Sequence, residues 1–355
     1  MTAQAIETTV KSLYDLLDQM PITYVIQNKH IVQGSIKPLI EVKENEPLGK
    51  VLELLRKENI LAVPVYRVAG DSGLKSYCGI VSVYDLLVGT VFQNMFHGDE
   101  DSDDMIVDID YAKEEFNWYS TPIKDLIGTT FESTDTWILN SKDTIANLLC
   151  LFSNGNHHRV LVWDDTTRNV SSNVIILTQT DLISYLWNEL KMGVNELLKS
   201  SLKTLFRLPV SRASLLHRSK YSQQAFTVTV PSTFNAVSAF RWLHLHKVSA
   251  LPIVNADREL IGSLSASDVR GLTLSTLETL QYPVFKYLEQ KMSVNPYITP
   301  DQVKSVLENE MILNALEMII EYHIHRVWIT KDDVPVGVIS ITDILSLLTP
   351  NYKIP

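Results

Sequence analysis

The chain has 355 residues, with 31 basic against 41 acidic side chains, a net charge of −10 and 45% hydrophobic composition. That length holds two to three domains with an ample core, and the acid excess argues against broad nucleic-acid binding, which needs Lys and Arg gathered on one face. There is no basic-then-apolar leader and no run of about 18 apolar residues able to span a bilayer. A cytoplasmic or nuclear protein without membrane contact is expected.

Residues 1–33 form an N-terminal segment. Its apolar spacing predicts a helix over Val10–Met20, with Leu13, Leu16 and Leu17 on one face, stopped by Pro21. The β-rich run Ile22-Thr23-Tyr24-Val25-Ile26 then offers an edge strand or a docking segment. From residue 34 to 92 the pattern is helix (Leu48–Lys57), strand (Leu61–Tyr66), strand (Tyr77–Val81) and helix from Ser82 to about Met95. Residues 93–121 make an acidic loop and linker. Its acids lack the alternating positions, central Gly and closing Glu of a calcium loop, so a solvated loop is expected.

The pattern returns over 122–190. A helix opens at Ser141 or Asp143, Asn154-Gly155-Asn156 stops it, and the strands His158–Trp163 and Val174–Leu177 follow. A linker, 191–224, is helical early and then basic, with Arg207, Arg212, His217, Arg218 and Lys220. A third copy covers 225–275, with a helix opened by Pro231 and running to His246, then the strands Ser249–Val254 and Leu260–Leu264. A fourth covers 288–349, with the helix Met311–Tyr322 and the strands His325–Thr330 and Val336–Ser340. The two cysteines, Cys78 and Cys150, lie in or beside apolar runs without Cys-x-x-Cys spacing and read as buried free thiols. The triplet Asn169-Val170-Ser171 matches a glycosylation acceptor by chance in such a setting.

What recurs most sharply is the passage from the last strand into its helix: Ser82-Val83-Tyr84-Asp85, Thr178-Gln179-Thr180-Asp181, Ser265-Ala266-Ser267-Asp268 and Ser340-Ile341-Thr342-Asp343. Four copies make an internal repeat. A hydroxyl followed three residues later by an acid is a capping box. The same geometry suits a ligand, because a helix N-terminus offers free N–H groups and the Asp can accept from two ribose hydroxyls. The hydroxyl candidates beside it are Ser82, Thr178, Thr180, Ser265, Ser267, Ser340 and Thr342. His158-Arg159 and His325-Arg326 open strands in the second and fourth copies, and Lys247 is read at the matching place in the third. Arg in particular is shaped for bidentate phosphate contact. The first copy has Ile60-Leu61 there and no cation. His244 and His246, two apart on a helix, point to different faces, so no metal is expected. No nucleophile elbow, P-loop, zinc-protease helix, dinucleotide glycine fingerprint or kinase signature occurs, and the chain reads as a non-enzyme.

These repeats resemble CBS domains, four of them, from about residue 34 to 349. More narrowly they resemble the gamma subunit of AMP-activated, Snf1-type protein kinases, through His246-Lys247-Val248-Ser249-Ala250-Leu251-Pro252-Ile253-Val254, His158-Arg159-Val160, and His325-Arg326 through to Gly337-Val338-Ile339-Ser340-Ile341-Thr342-Asp343-Ile344-Leu345. The resemblance implies an α+β fold of four CBS repeats, the first paired with the second and the third with the fourth, as two Bateman modules in a flat disk. It implies up to four clefts for AMP, ADP or ATP, with no further cofactor. Ribose would lie on Asp85, Asp181, Asp268 and Asp343, and phosphates on the His-Arg pairs. It also implies protein partners, a kinase catalytic subunit and a beta-type scaffold subunit. Leu61 and Thr180 stand where the family places basic residues, which implies weakened nucleotide sensing. A CBS scaffold acting through protein contacts alone, and a stand-alone adenosyl-ligand sensor for another enzyme, are the alternative readings.

Overall fold

The computed structural model describes residues 2–34, 38–69, 74–89, 119–130, 133, 138–154, 157–164, 174–211, 228–272, 274–294 and 303–350. The acidic run 97–110, the basic residues Arg212, His217, Arg218 and Lys220, and the Asn169 triplet lie outside the described residues.

Four three-stranded sheets are described, each with the same order. They are β1 (Val42–Lys43), β2 (Ala62–Ala69), β3 (Leu74–Ser82); β4 (Ile138–Asn140), β5 (Arg159–Trp163), β6 (Val174–Thr178); β7 (Val230–Pro231), β8 (Ala250–Val254), β9 (Leu260–Ser265); and β10 (Ser305–Leu307), β11 (Arg326–Lys331), β12 (Val334–Ser340). In each sheet the first strand runs parallel to the middle one, and the third runs antiparallel to it. A parallel pair needs a crossover, and one helix supplies it in each copy. These are α3 (Leu48–Lys57), α5 (Ile145–Ser153), α8 (Ala236–Leu245) and α10 (Ile312–Glu321). Their apolar residues recur at helical spacing and are buried, as with Leu48, Val51 and Leu55 in α3. The fold class is α+β with four CBS-like units, the complement that two Bateman modules require.

The remaining helices are α1 (Ala3–Leu17), α2 (Thr23–Gln33), α4 (Val83–Leu87), α6 (Gln179–Met192), α7 (Glu196–Phe206), α9 (Val284–Val294) and α11 (Ile341–Leu347). Several differ from the sequence reading. The N-terminal helix starts at Ala3, where the Thr2 side chain accepts from the Ala5 N–H, and not at Val10. The run from Ile22 is a helix, not an edge strand: Val25 and Ile26 are buried on its inner face, and packing overrides the β propensity of the run. The third-copy helix starts at Ala236 behind an Asn235 cap rather than at Pro231, which belongs to β7. After Ser265 only a short 3-10 turn forms, Ala266–Val269, and Gly271 at φ +81° turns the chain away. Cys78 and Cys150 are free but only half-buried.

A recurrence unseen in the sequence reading stitches each crossover helix in place. Pro21, Pro122, Pro209 and Pro283 each bridge the start of a repeat helix, opposite Thr144, Pro47, Met311 and Asn235. The residue before each proline accepts from the first helical amide, as in Ile145 N–H to Met20 O (2.8 Å) and Leu48 N–H to Thr121 O (2.9 Å). Orphan donors at a helix start need such partners.

The chain divides into two compact units. One comprises Met1–Leu39, Trp137–Thr227 and Lys304–Pro355; the other comprises Ile40–Thr136 and Val228–Val303. Each unit therefore holds alternate repeats, second with fourth and first with third, whereas the resemblance pairs consecutive ones. Each has its own apolar core. In the first unit the cores of the two repeats merge through helices: Phe152 of α5 and Leu345 of α11 are both fully buried, and Ser346 Oγ donates to Ser153 O at 2.6 Å. Pro122–Leu126, assigned by the sequence to the second repeat, lies in the unit of the first.

Candidate functional site

The four Asp motifs fall at one structural position. In each, the first helical amide donates to the carbonyl just before the middle strand: Val83 to Leu61 (2.8 Å), Gln179 to His158 (3.1 Å), Ala266 to Ser249 (3.0 Å) and Ile341 to His325 (3.0 Å). Leu61, His158, Ser249 and His325 are therefore equivalent. The cap residue pairs across the sheet with the next one, Ser82 with Ala62, Thr178 with Arg159, Ser265 with Ala250 and Ser340 with Arg326. Arg159 and Arg326 thus stand directly opposite the caps of Asp181 and Asp343, and both His-Arg pairs belong to the same compact unit.

This register corrects the position of Lys247. It sits two residues before the His158 equivalent, at φ +52°, and shares the helix-stop position with Asn59 (φ +52°) and His323 (φ +53°). The left-handed conformation there ends α8, and Ser249 holds the matching place.

Every motif forms its cap. One carboxylate oxygen, Oδ2, accepts from the cap residue's amide and hydroxyl: Ser82 at 2.8 and 2.5 Å, Thr178 at 2.8 and 2.8 Å, Ser265 at 2.7 and 3.1 Å, Ser340 at 2.8 and 2.6 Å. What separates the four is what else each carboxylate meets. Asp85 is fully buried, and its Oδ1 also accepts from the hydroxyls of Thr130 and Ser133, the latter at 2.7 Å. Tyr84, at the place of Thr180 and Thr342, is half-buried, its hydroxyl has no hydrogen-bond partner among the described residues, and burial pushes its pKa far up. The first motif is filled by the chain's own side chains.

Asp181 Oδ2 takes a third donor, the Lys29 ammonium of α2, at 3.0 Å. Lys29 also donates to Ile176 O at 2.8 Å. Asp268 keeps its cap, Ser267 is tied to Ser265 at 2.6 Å, and the Tyr287 hydroxyl donates to the Asp268 carbonyl at 2.8 Å. Asp343 is the contrasting case: among the described residues it has no cation, and its Oδ1, like that of Asp181, has no donor. Thr180 is exposed, whereas Thr342 is linked to the buried Gln179 of the second motif, whose Nε2 donates to Thr342 Oγ1 at 2.9 Å and to Phe152 O at 2.8 Å. His325 is exposed and Arg326 half-buried, while His158 and Arg159 are both half-buried.

Lys29, Thr130, Ser133 and Gln179 are the residues that the sequence reading passes over. The first three lie far along the chain from the carboxylates they serve and carry no motif. Gln179 sits inside a motif, but its polarity looks like an ordinary exposed helix start. Among the described residues no cluster of His, Cys, Asp and Glu is arranged to hold a metal ion.

The CBS-domain profile matches residues 30–89 and 294–350, the first and fourth repeats. These two segments are CBS domains. The second and third CBS-like units are recognised through the repeated sheet and cap register. Over 356 aligned residues the chain is 22% identical to the Arabidopsis thaliana SNF1-related protein kinase regulatory subunit gamma-like PV42b, covering 87% of this chain and 91% of that protein. PV42a of the same plant is 24% identical, with the same coverage of both chains. Protein SDS23 of Kluyveromyces lactis is 22% identical over 254 residues, 65% of this chain and 46% of that protein. The CBS-domain chain also shares its fold with a solved Methanocaldococcus jannaschii protein, described as an archaeal homolog of the AMPK gamma subunit. The TM-score is 0.56 at 14% identity, covering 87% of this chain and 95% of that one.

Proposed function

We propose that this CBS-domain protein is a non-catalytic, gamma-like regulatory subunit that binds adenine nucleotides and tunes a Snf1/AMP-activated-type protein kinase. The observation that carries the reading is the fourth motif. Asp343 is fixed by its cap on one oxygen and offers the other to a ribose, with Arg326 across the ladder from Ser340. A carboxylate locked on one side and open on the other is preorganised for a pair of hydroxyls. The similarity to gamma-like kinase subunits over most of both chains supports the partner: a kinase catalytic subunit together with a beta-type scaffold.

AMP, ADP and ATP present the same ribose to Asp343 but different charge to His325 and Arg326, and to His158 and Arg159 in the same unit. A ligand that fits one arrangement of the subunit better than another shifts the population toward it. Titration calorimetry with the three nucleotides tests this. AMP binding that falls at least about tenfold in Asp343→Ala and in Arg326→Ala is the expected result. Wild-type protein that binds none of the three defeats the reading.

The alternative, a CBS scaffold acting through protein contacts without nucleotide sensing, is favoured by the filled first motif and by the Lys29–Asp181 pair. It predicts co-purification with kinase subunits that is indifferent to nucleotide. A third reading, a stand-alone adenosyl-ligand sensor, predicts nucleotide binding without kinase subunits.

A further inference from the structure

We propose that α2 is a built-in strap over the second repeat, and that Lys29 is the residue that withholds Asp181 from a ribonucleotide. The proposal rests on the reading that the Asp of each motif receives ribose. Asp181 accepts both cap donors and the Lys29 ammonium on the same oxygen, at 2.8, 2.8 and 3.0 Å. The ammonium is anchored a second time on Ile176 O, two residues before the Thr178 cap. Both partners of the pair are mostly shielded, at 12% and 13% side-chain exposure, so the attraction is less screened than on an open surface. Lys29 acts through charge: Asp181 Oδ1, like that of Asp343, has no donor among the described residues, but ribose hydroxyls reaching it meet a carboxylate already neutralised by a full positive charge.

The seam that holds α2 is built to let go. Within the helix only Val25 and Ile26 are buried, and Ile31 and Val32 on its far turn are exposed. The hydrogen bonding between α2 and α6 is incompletely satisfied. Asn28 Oδ1 accepts from Asn188 Nδ2 at 2.7 Å, but Asn28 Nδ2 and the Tyr185 hydroxyl are buried without partners among the described residues. Burial also raises the pKa of Glu189 on the same helix. Elements with little apolar burial and unsatisfied polar groups open at the low end of a protein's stability range. Gly34 at φ +70° ends α2. The second motif is therefore a latent site, its carboxylate neutralised by the chain's own cation, for a ribonucleotide with free 2′ and 3′ hydroxyls.

The experiment compares full-length wild type, Lys29→Met, Lys29→Arg and Lys29→Met/Asp181→Asn, with AMP as probe in calorimetry and backbone hydrogen exchange of residues 23–33. Met keeps the aliphatic stem and removes the charge, and thermal melts establish that each variant is folded. Lys29→Met is expected to show one more AMP site than wild type, or about tenfold tighter binding at that site, because the binding-competent fraction rises. Asp181→Asn added to it removes that gain alone, and Lys29→Arg behaves as wild type. In wild type, saturating AMP is expected to speed exchange in 23–33. Unchanged stoichiometry and affinity in folded Lys29→Met, while Asp343→Ala still abolishes wild-type binding, overturns the strap and leaves the nucleotide reading standing. Weaker AMP binding in Lys29→Met makes Lys29 a ligand contact and also overturns it. AMP bound by neither protein overturns both.

Discussion

Gln179 and Thr342, 163 residues apart, hold each other in a reciprocal hydrogen bond: Nε2 to Oγ1 at 2.9 Å, and Oγ1 to Oε1 at 3.3 Å. Each lies inside an Asp motif, so the second and fourth repeats are joined at the point where ligand contacts are expected. Gln179 is buried and also caps the Phe152 carbonyl at the end of α5. Replacing it with Ala leaves polar atoms on both repeats without their partner, which costs about 1–3 kcal/mol. Denaturant unfolding of Gln179→Ala is expected to show that loss at unchanged m-value. AMP affinity is expected to fall severalfold, because Thr342 precedes Asp343 and loses its tether.

The first motif behaves in the opposite way. Asp85 has all its acceptor capacity used by Ser82, Thr130 and Ser133, inside a fully buried site. Asp85→Ala strips a charged acceptor from three hydroxyls and an amide at once. A destabilisation of about 2–4 kcal/mol is expected, with AMP affinity at the other repeats unaltered. Thr130→Ala together with Ser133→Ala is the informative companion: a gain of AMP binding there shows that those hydroxyls stand in for a ribose.

How far the sequence carries can be read from these residues. The four sheets and their crossover helices follow from apolar periodicity and a strand-to-helix signal that repeats, and both are local properties. The cap geometry is equally local, since Ser340 and Asp343 are three residues apart and sterically bound to meet. What distinguishes the four motifs is not local. Lys29 reaches Asp181 across 152 residues and Ser133 reaches Asp85 across 48, through packing that no spacing encodes. The grouping of alternate repeats into units is a matter of helix faces meeting in three dimensions. The misplacement of Lys247 has another cause. Lys247 is the basic residue nearest the strand in the third repeat, and aligning on it slips the register by two, because Ser249 holds the place of His158 and His325.

Glu189 gives a pH test. Burial holds its carboxyl above its ordinary pKa in the folded protein. A group whose folded pKa is raised favours folding when protonated. Its contribution is fully present below the unfolded value, about 4.3, and is lost as pH rises through the folded value. Neutral pH therefore carries a penalty that acid relieves. Glu189→Gln is expected to raise the melting temperature at pH 7 and to change it much less at pH 4. An equal shift at both pH values shows that titration of Glu189 is not the cause.

Lys247 separates a structural role from a ligand role. It holds φ +52° at the end of α8, a conformation that costs a side-chain-bearing residue about 1 kcal/mol and a glycine almost nothing. Asn59 and His323 hold the same conformation in two other repeats, one with a neutral side chain, so cationic charge is not what the position requires. Lys247→Gly is expected to stabilise the protein by about 0.5–1 kcal/mol in denaturant unfolding. AMP affinity is expected to stay within twofold, in contrast to the loss in Arg326→Ala, and its salt dependence to stay unchanged. A fall in AMP affinity with a flatter salt dependence would instead give Lys247 the phosphate contact that its position two residues before Ser249 argues against.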